Sequence, residues 1–483
     1  MPTGPGAARL RRVERGAAVA ESGAQDAAEG VYTTGPVGRH LLRMAGPAST
    51  ALLFIFLADL VTLFYISLLR DERLIAAVGL ARFIEYLIIS IGLAFASAAT
   101  VQVSQALGAG DKALAVRRAT SCLVVTLAVL CAAVGLAQVF RGAALASFVE
   151  PGAVFDAADL YLEITLYSVP LAAVSLTAGA ILRGAGDVRR SVAVTVSGSL
   201  AALAVSPALI FWAGWGLEGA AWALLADRAI SAALGVGFVI RKYRLLKLPD
   251  IFESVRDARA VLAIAGPAAL SELATPTIWL LATWWVAAFG DSALAAWALL
   301  ARITLLAGCG IMGLTIALNP VLGQNYGAGD AGRTASSLRS AAVFSVCYVL
   351  AVWALFALTS GQISRMFDLT AEASGIVHVY ALYGFAAFVP ASMAALCRPV
   401  FYHFGRSHWT TVLDWTANLL ALFALVLLVG MPDGEPVVFA LGAAAAVCAV
   451  PIGRAVAGSL SLGLAWRLVA QMRTPEPSPK DAG

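Results

Sequence analysis

Five carboxylates lie inside long apolar stretches of this 483-residue chain, Asp59, Glu85, Asp227, Glu272 and Asp414, and five arginines share those stretches, Arg82, Arg228, Arg302, Arg398 and Arg454. A charge at mid-bilayer depth costs about 3 kcal/mol on insertion scales, so each must face a partner or a wet cavity. Arg82 and Glu85 stand three apart on one helix face and are expected to pair. Asp227 and Arg228 are adjacent, do not face each other, and are expected to find partners on other helices. Arg302 reads as a packing residue between helices, and Arg398 and Asp414 fall near the ends of their stretches, where snorkelling lightens the penalty. Glu272 and Asp59 are left without an obvious partner. Such a carboxylate can bind a proton on one side of a membrane and release it on the other, or hold an organic cation when ionised. Mutually exclusive occupancy by the two couples their gradients. Tyr65, Tyr86, Trp279, Trp284 and Trp285 could stack a cation in a cleft, or simply pack or face lipid.

These charges are sparse by composition. The chain is 60% apolar and 13% charged, against roughly 45–50% and 25% in globular domains, which excludes a water-soluble enzyme of this length, a secreted domain and a disordered scaffold. With a net charge of +4, no nucleic-acid-binding surface is implied. A spanning helix takes about 20 apolar residues, and twelve suitable runs can be read between residues 44 and 469. The alternating ten-residue segments of a membrane β-barrel are absent. The expected fold is therefore an all-α polytopic membrane protein of about twelve transmembrane helices. Of the 33 Lys and Arg, 24 fall on the side of the N-terminus and four on the other, so the positive-inside rule places both termini in the cytoplasm of a cell (inner) membrane protein. Residues 1–43 read as a disordered cytoplasmic arm and 471–483 as a cytoplasmic tail. The six cysteines form no CxxC pair and the four histidines have no acidic or thiol partners nearby, so no metal site is expected.

The two halves repeat each other. Ala45-Gly46-Pro47-Ala48 returns as Ala265-Gly266-Pro267-Ala268, Ala81-Arg82 as Ala301-Arg302, Gly108-Ala109-Gly110-Asp111 as Gly327-Ala328-Gly329-Asp330, Val169-Pro170 as Val389-Pro390, and Gly186 as Gly405. A nearly constant offset of this kind predicts two pseudosymmetric six-helix bundles, 44–240 and 261–470, joined by a basic cytoplasmic linker at 241–260. Six spans per half make the repeat parallel, with an axis along the membrane normal, and the two bundles can rock about a central cleft between them. No phosphate-cradling loop of the Gly-x-x-x-x-Gly-Lys-Ser/Thr type occurs. The Gly-Ala-Gly-Asp strings read as tight turns, and transport would draw on an ion gradient.

The string Asn319-Pro320-Val321-Leu322-Gly323-Gln324-Asn325-Tyr326-Gly327-Ala328-Gly329-Asp330, followed by Arg333, resembles the signature after span 8 of the multidrug and toxic compound extrusion (MATE) family, and it holds two of the chain's three asparagines. Gln105-Ala106-Leu107-Gly108-Ala109-Gly110-Asp111 is similar to the family turn after span 2, and Leu182-Arg183-Gly184-Ala185-Gly186-Asp187 to that after span 4. Gly216–Ala221 and Ala301-Arg302-Ile303 also match, in family order. The resemblance implies antiport of amphipathic organic compounds, often cationic, against protons or sodium. It also implies a cation-serving Asp in span 1. Asp59 stands one helical turn from that family position, which falls near Thr62 or Leu63, and the partner positions in span 5, commonly Asn and Asp before a Pro, are Ala202 and Ser206 before Pro207.

The expected function is thus efflux by a secondary transporter, with Asp59 and Glu272 as coupling residues and Tyr65, Glu85, Asp227, Trp279 and Arg302 as possible cleft residues. Its partners would be small organic compounds, a proton or sodium ion and membrane lipid, with no cofactor, and it would act as a monomer. A flippase of lipid-linked sugars is the alternative. An intramembrane enzyme would need a nucleophile–base pair or metal set within a span, which the chain lacks.

Overall fold

A computed structural model describes residues 31–429 and 442–472. Most of the expected arm (1–30), residues 430–441 before the last span, and the tail from 473 lie outside the described residues.

The described chain is all-α. Span 1 is Val37–Ser67, span 2 Glu72–Gly108 and span 3 Lys112–Ala146. Span 4 is a bent pair, Ala153–Leu166 and Val169–Gly184, followed by span 5, Val188–Trp212, and span 6, Gly216–Tyr243. The second half supplies span 7, Ile251–Ala287, span 8, Asp291–Gly327, span 9, Ala331–Met366, and span 10, Ala371–His403. Spans 11 and 12 are His408–Val429 and Gly442–Gln471. Their lengths and apolar character make this a multi-pass membrane protein. Spans of 37 residues reach about 55 Å at 1.5 Å per residue, beyond an apolar core of about 30 Å, so their ends project into the aqueous layers.

The boundaries depart from the sequence reading where local chemistry starts a helix earlier than apolarity does. Asp250 caps span 7 through the backbone N–H groups of Phe252 and Glu253, so the expected linker 241–260 is extended only over 244–250. Likewise span 1 begins at Val37, inside the expected arm, and Tyr32 just before it is buried. Span 4 is not one continuous helix. It breaks by 47° before Pro170, and its repeat partner, span 10, passes through a π turn at Tyr380–Gly384 and a 3-10 turn at Phe385–Ala387 before Pro390. A proline has no N–H to donate and collides with the carbonyl four residues back, which accounts for an interruption at the same place in both halves.

Helix ends at one face share a turn. Gly110, Gly186 and Gly329 take positive φ (75°, 89° and 72°), a conformation a Cβ penalises. The next residue is an aspartate that caps the following span: Asp111 accepts from the N–H of Leu114, Asp187 from Arg190 and Asp330 from Arg333. Spans 1–6 pack as one bundle and 7–12 as another, with span 1 against span 8 and span 2 against spans 7 and 8 between them. At the face carrying Tyr32 and Val469, called the basic end below, the cores of the two bundles merge: Leu41, Met44 and Val188 pack with Leu314, Val321, Phe401 and Val469.

Candidate functional site

Within the first bundle the charged side chains of spans 1, 2 and 6 form one chain of ion pairs. The Arg82 guanidinium bonds Asp59 and reaches Glu85 Oε2 at 3.6 Å, while Arg228 Nη2 lies 3.7 Å from Glu85 Oε1. Glu85 is only 2% exposed, so two guanidiniums offset the burial of its charge. The expected Arg82–Glu85 pair and the interhelical partner of Arg228 are both present. Asp59, by contrast, is not partnerless as expected; Arg82 lies 23 residues on, on the next helix, beyond the reach of intrahelical spacing. Its side chain is still 51% exposed. Asp227 is held within its own helix, accepting from Ser231 Oγ at 3.2 Å, and Gly198 across on span 5 leaves the room, since a Cβ there would collide with both groups.

Of these residues, Asp59, Arg82, Asp227 and Arg228 line a cavity of about 370 Å³ between spans 1, 2, 4, 5 and 6, while Glu85, expected as a cleft residue, is not on its walls. The cavity lies inside the first bundle, whereas the sequence reading placed a polar cleft between the bundles. Asp59, Thr62, Arg82, Asp227 and Arg228 are on its walls, as are Ala202 and Ser206, the span 5 positions where the family commonly has Asn and Asp. Span 5 therefore contributes hydroxyls, not carboxylates. The cavity also receives Arg183, which sequence counting assigned to the surface. Its Cβ points back toward the start of span 4, as on any helix, and the guanidinium packs over Gly179 one turn earlier, where a Cβ would meet Nη1 at 3.4 Å.

The second bundle has its own charge cluster. Arg398 on span 10 donates from Nη1 to Glu272 Oε1 on span 7 at 3.1 Å and from Nη2 to Asp414 Oδ2 on span 11 at 2.9 Å. Glu272 is thus paired, across 126 residues of sequence, and Arg398 and Asp414 are internal members of a triad instead of snorkelling ends. A smaller cavity of about 80 Å³ adjoins it, lined by Thr275, Arg398, Asp414, Asn418 and Arg454. Arg454 bonds Thr275 Oγ1 at 3.2 Å.

Three of the five aromatic candidates pack. Trp279 and Trp297 have ring centroids 4.6 Å apart against the second core, Trp285 is buried in that core, and Tyr65 packs on the first core edge-on to Phe211. Tyr86 and Trp284 are exposed. Arg302 is exposed and makes no ion pair among the described residues, so it does not serve the packing role expected of it.

The signature residues meet at the basic end. Gln324 Nε2 donates to the Gly184 carbonyl at 2.9 Å and its Oε1 accepts from the Tyr32 N–H at 2.9 Å. The Tyr32 hydroxyl donates to the Gly186 carbonyl at 2.6 Å. Gln105 Nε2 reaches His403 Nδ1 and its carbonyl, both at 3.1 Å. A Cβ on Gly108 would overlap the Gln324 backbone, one on Gly327 the Gln105 backbone, and one on Gly323 Ser104 and His403. Arg333 braces the segment before span 1, donating to the carbonyls of Tyr32, Thr34 and Gly35, and also to Asn325 Oδ1. His403, the last residue of span 10, is buried in this seam. Its repeat-related neighbours gave no signal because its partners come from spans 2 and 8. Asp111 stays outside the seam as a helix cap.

The MatE family is matched twice along the chain, over residues 47–208 and 267–427, and the copies begin at the repeat-equivalent Pro47 and Pro267. A relative from Shewanella oneidensis named FAD transporter is 24% identical over 413 residues, 83% of this chain and 89% of the relative. Among solved structures, a MOP superfamily transporter from Pyrococcus furiosus superposes with a TM-score of 0.82 at 19% identity, covering 92% of this chain and 98% of that one. A multidrug resistance MATE family transporter of the MOP superfamily in its outward-facing conformation gives 0.81 at 20% identity, covering 91% and 98%. These likenesses show the fold.

Proposed function

The chain belongs to the MatE family of membrane transporters, and from that premise we propose that it exports amphipathic organic compounds in exchange for protons or sodium by alternating access. The family's members carry compounds across membranes and are not enzymes. The observation that carries the proposal is Asp59, a carboxylate that is half exposed, lines the first-bundle cavity and, among the described residues, is ion-paired only to Arg82. An ion arriving at Asp59 competes with Arg82 for the carboxylate, and the released Arg82 retains Glu85 as partner, so loading rearranges the contacts among spans 1, 2 and 6 without leaving a buried charge unpaired. An organic cation held by Asp59 or Asp227 would be displaced by the same ion, which links the two gradients. Glu272, bound to Arg398, gives the second bundle a similar switchable pair.

The positive-inside count supports the basic end as the cytoplasmic end in a cell membrane. The seal that the signature residues form at that end supports a conformation open away from the cytoplasm. The relative named FAD transporter supports a second class of cargo, a flavin dinucleotide. The test is transport by the purified chain in proteoliposomes with an imposed proton or sodium gradient, following a fluorescent organic cation and FAD separately. Gradient-dependent uptake of either is expected. Indifference of both to both gradients would sink the antiport reading.

A further inference from the structure

We propose that the first-bundle cavity is an anion site, in which Arg183 takes the carboxylate or phosphate of an organic compound. The inference rests on the exporter reading for its physiological use and on the cavity's own chemistry for its existence.

Each of the other two arginines on the cavity wall is already matched: Arg82 by Asp59 and Glu85, Arg228 by Glu85. Arg183 is different. It lines the cavity and, among the described residues, donates one hydrogen bond, from Nη1 to Ser191 Oγ at 2.9 Å. No carboxylate lies within ion-pair distance of it among the described residues. A guanidinium has five N–H donors and no acceptor, so four are left without a partner among the described residues. An uncompensated charge in such a place is strongly disfavoured, and the partner that would resolve it is a planar or tetrahedral oxyanion, which guanidinium geometry fits in bidentate fashion.

The surroundings are built for such a group. Gly179, one turn from Arg183, lies against the Arg183–Ser191 pair, where a Cβ would meet Ser191 Oγ at 3.3 Å and Nη1 at 3.4 Å. Ser191 fixes the guanidinium from the neighbouring span. Ser175, Thr195, Ser199 and Ser206 carry hydroxyls to the same cavity, and Ser206 Oγ is buried with no partner among the described residues. The carboxylate of Asp227 packs at Gly198, two turns beyond Ser191 on span 5, roughly 10 Å away, so it does not neutralise Arg183. A volume of about 370 Å³ suits an organic molecule of modest size.

Two xanthene dyes of nearly the same shape isolate the charge: fluorescein, an anion, and rhodamine 123, a cation. Their binding to the full chain purified in detergent is read by fluorescence polarisation. Fluorescein should bind, and Arg183→Gln should weaken it at least about tenfold while rhodamine 123 stays within about twofold; Arg183→Lys should restore much of the loss, since a point charge survives. A variant-free arm adds inorganic phosphate to the wild type, which should displace fluorescein and spare rhodamine 123. No fluorescein binding, equal loss of both dyes in Arg183→Gln, or failure of phosphate to displace would each overturn the proposal. Phosphatidylglycerol added to the detergent distinguishes the natural source of the anion: displacement of fluorescein assigns the site to a lipid headgroup, and its absence to soluble compounds. Binding that depends on Arg183 without any response to ion gradients would fail the exporter reading alone. Gradient-driven transport with charge-indifferent binding would fail the anion site alone.

Discussion

Gly108 rests directly on the backbone of Gln324, and Gly327 rests on that of Gln105. The two contacts are equivalents under the internal repeat, one from each bundle, so spans 2 and 8 cross at the basic end with only glycine hydrogens between them. Small residues at helix crossings are what permit such an approach in a membrane. Glycine is therefore required here for the closed seam, and less so for either bundle alone. Gly108→Val should shift the protein toward a state open at the basic end. Spin labels at Ala113 and Ser336, exposed positions just beyond the seam on spans 3 and 9, should report a longer distance in the variant than in the wild type. An unchanged distance distribution would show that the seam tolerates a side chain.

Arg398 serves two carboxylates, Glu272 and Asp414, so the three positions should not respond alike to neutralisation. Arg398→Met strands both acids in the second bundle and is expected to destabilise by about 3–5 kcal/mol. Glu272→Gln leaves Arg398 paired to Asp414 and should lose only about 1–3 kcal/mol. Thermal unfolding in detergent gives the order, and a Glu272→Gln variant as unstable as Arg398→Met would show that Asp414 does not hold the guanidinium.

Asp59 and Arg82 make the coupling hypothesis specific. Asp59→Asn should abolish gradient-driven transport while the protein remains folded, because Arg82 retains Glu85. The measurement is uptake into proteoliposomes at matched protein incorporation. Transport at the wild-type rate would move the coupling role elsewhere, with Glu272 in the second bundle the next position to test.

What could be read in the chain beforehand was local or repeated. The paired prolines at 170 and 390 were legible only as part of the repeat, and the interruptions they cause were not read from them, whereas the Gly-Asp strings announced turns, because helix capping acts within a few residues. The Arg82–Glu85 pair was legible for the same reason. Glu272 and Arg398 were not, since they are joined across helices and spacing along one helix says nothing of that. Arg183 was misplaced because a basic residue near a helix end counts toward the surface, while its side chain in fact runs back toward the helix start; the glycine at 179, one turn earlier on the same face, was the available sign. The seam at the basic end was visible only as two similar strings, and that they touch is a property of the packing.

The turn at Asp187 carries a pH dependence with a definite sign. Burial works to raise its carboxyl, but hydrogen bonds from the Tyr243 hydroxyl and from the Arg190 backbone and guanidinium outweigh burial and hold it below its ordinary value of 3.8. A carboxyl lowered in the folded state contributes stability that is fully present above the unfolded value and is lost as pH falls through the folded one. The contribution should therefore persist at neutral pH and disappear on the acid side of about pH 4. Asp187→Asn keeps a capping side chain but has no proton to take up, so the difference in melting temperature between wild type and variant should shrink as pH drops through that range. Tyr243→Phe removes the largest of the lowering influences and should begin its acid loss at a higher pH than the wild type. Melting curves measured in detergent from roughly pH 3 to 7 test both, and a wild-type advantage over Asp187→Asn that grows toward acid would reverse the sign argued here.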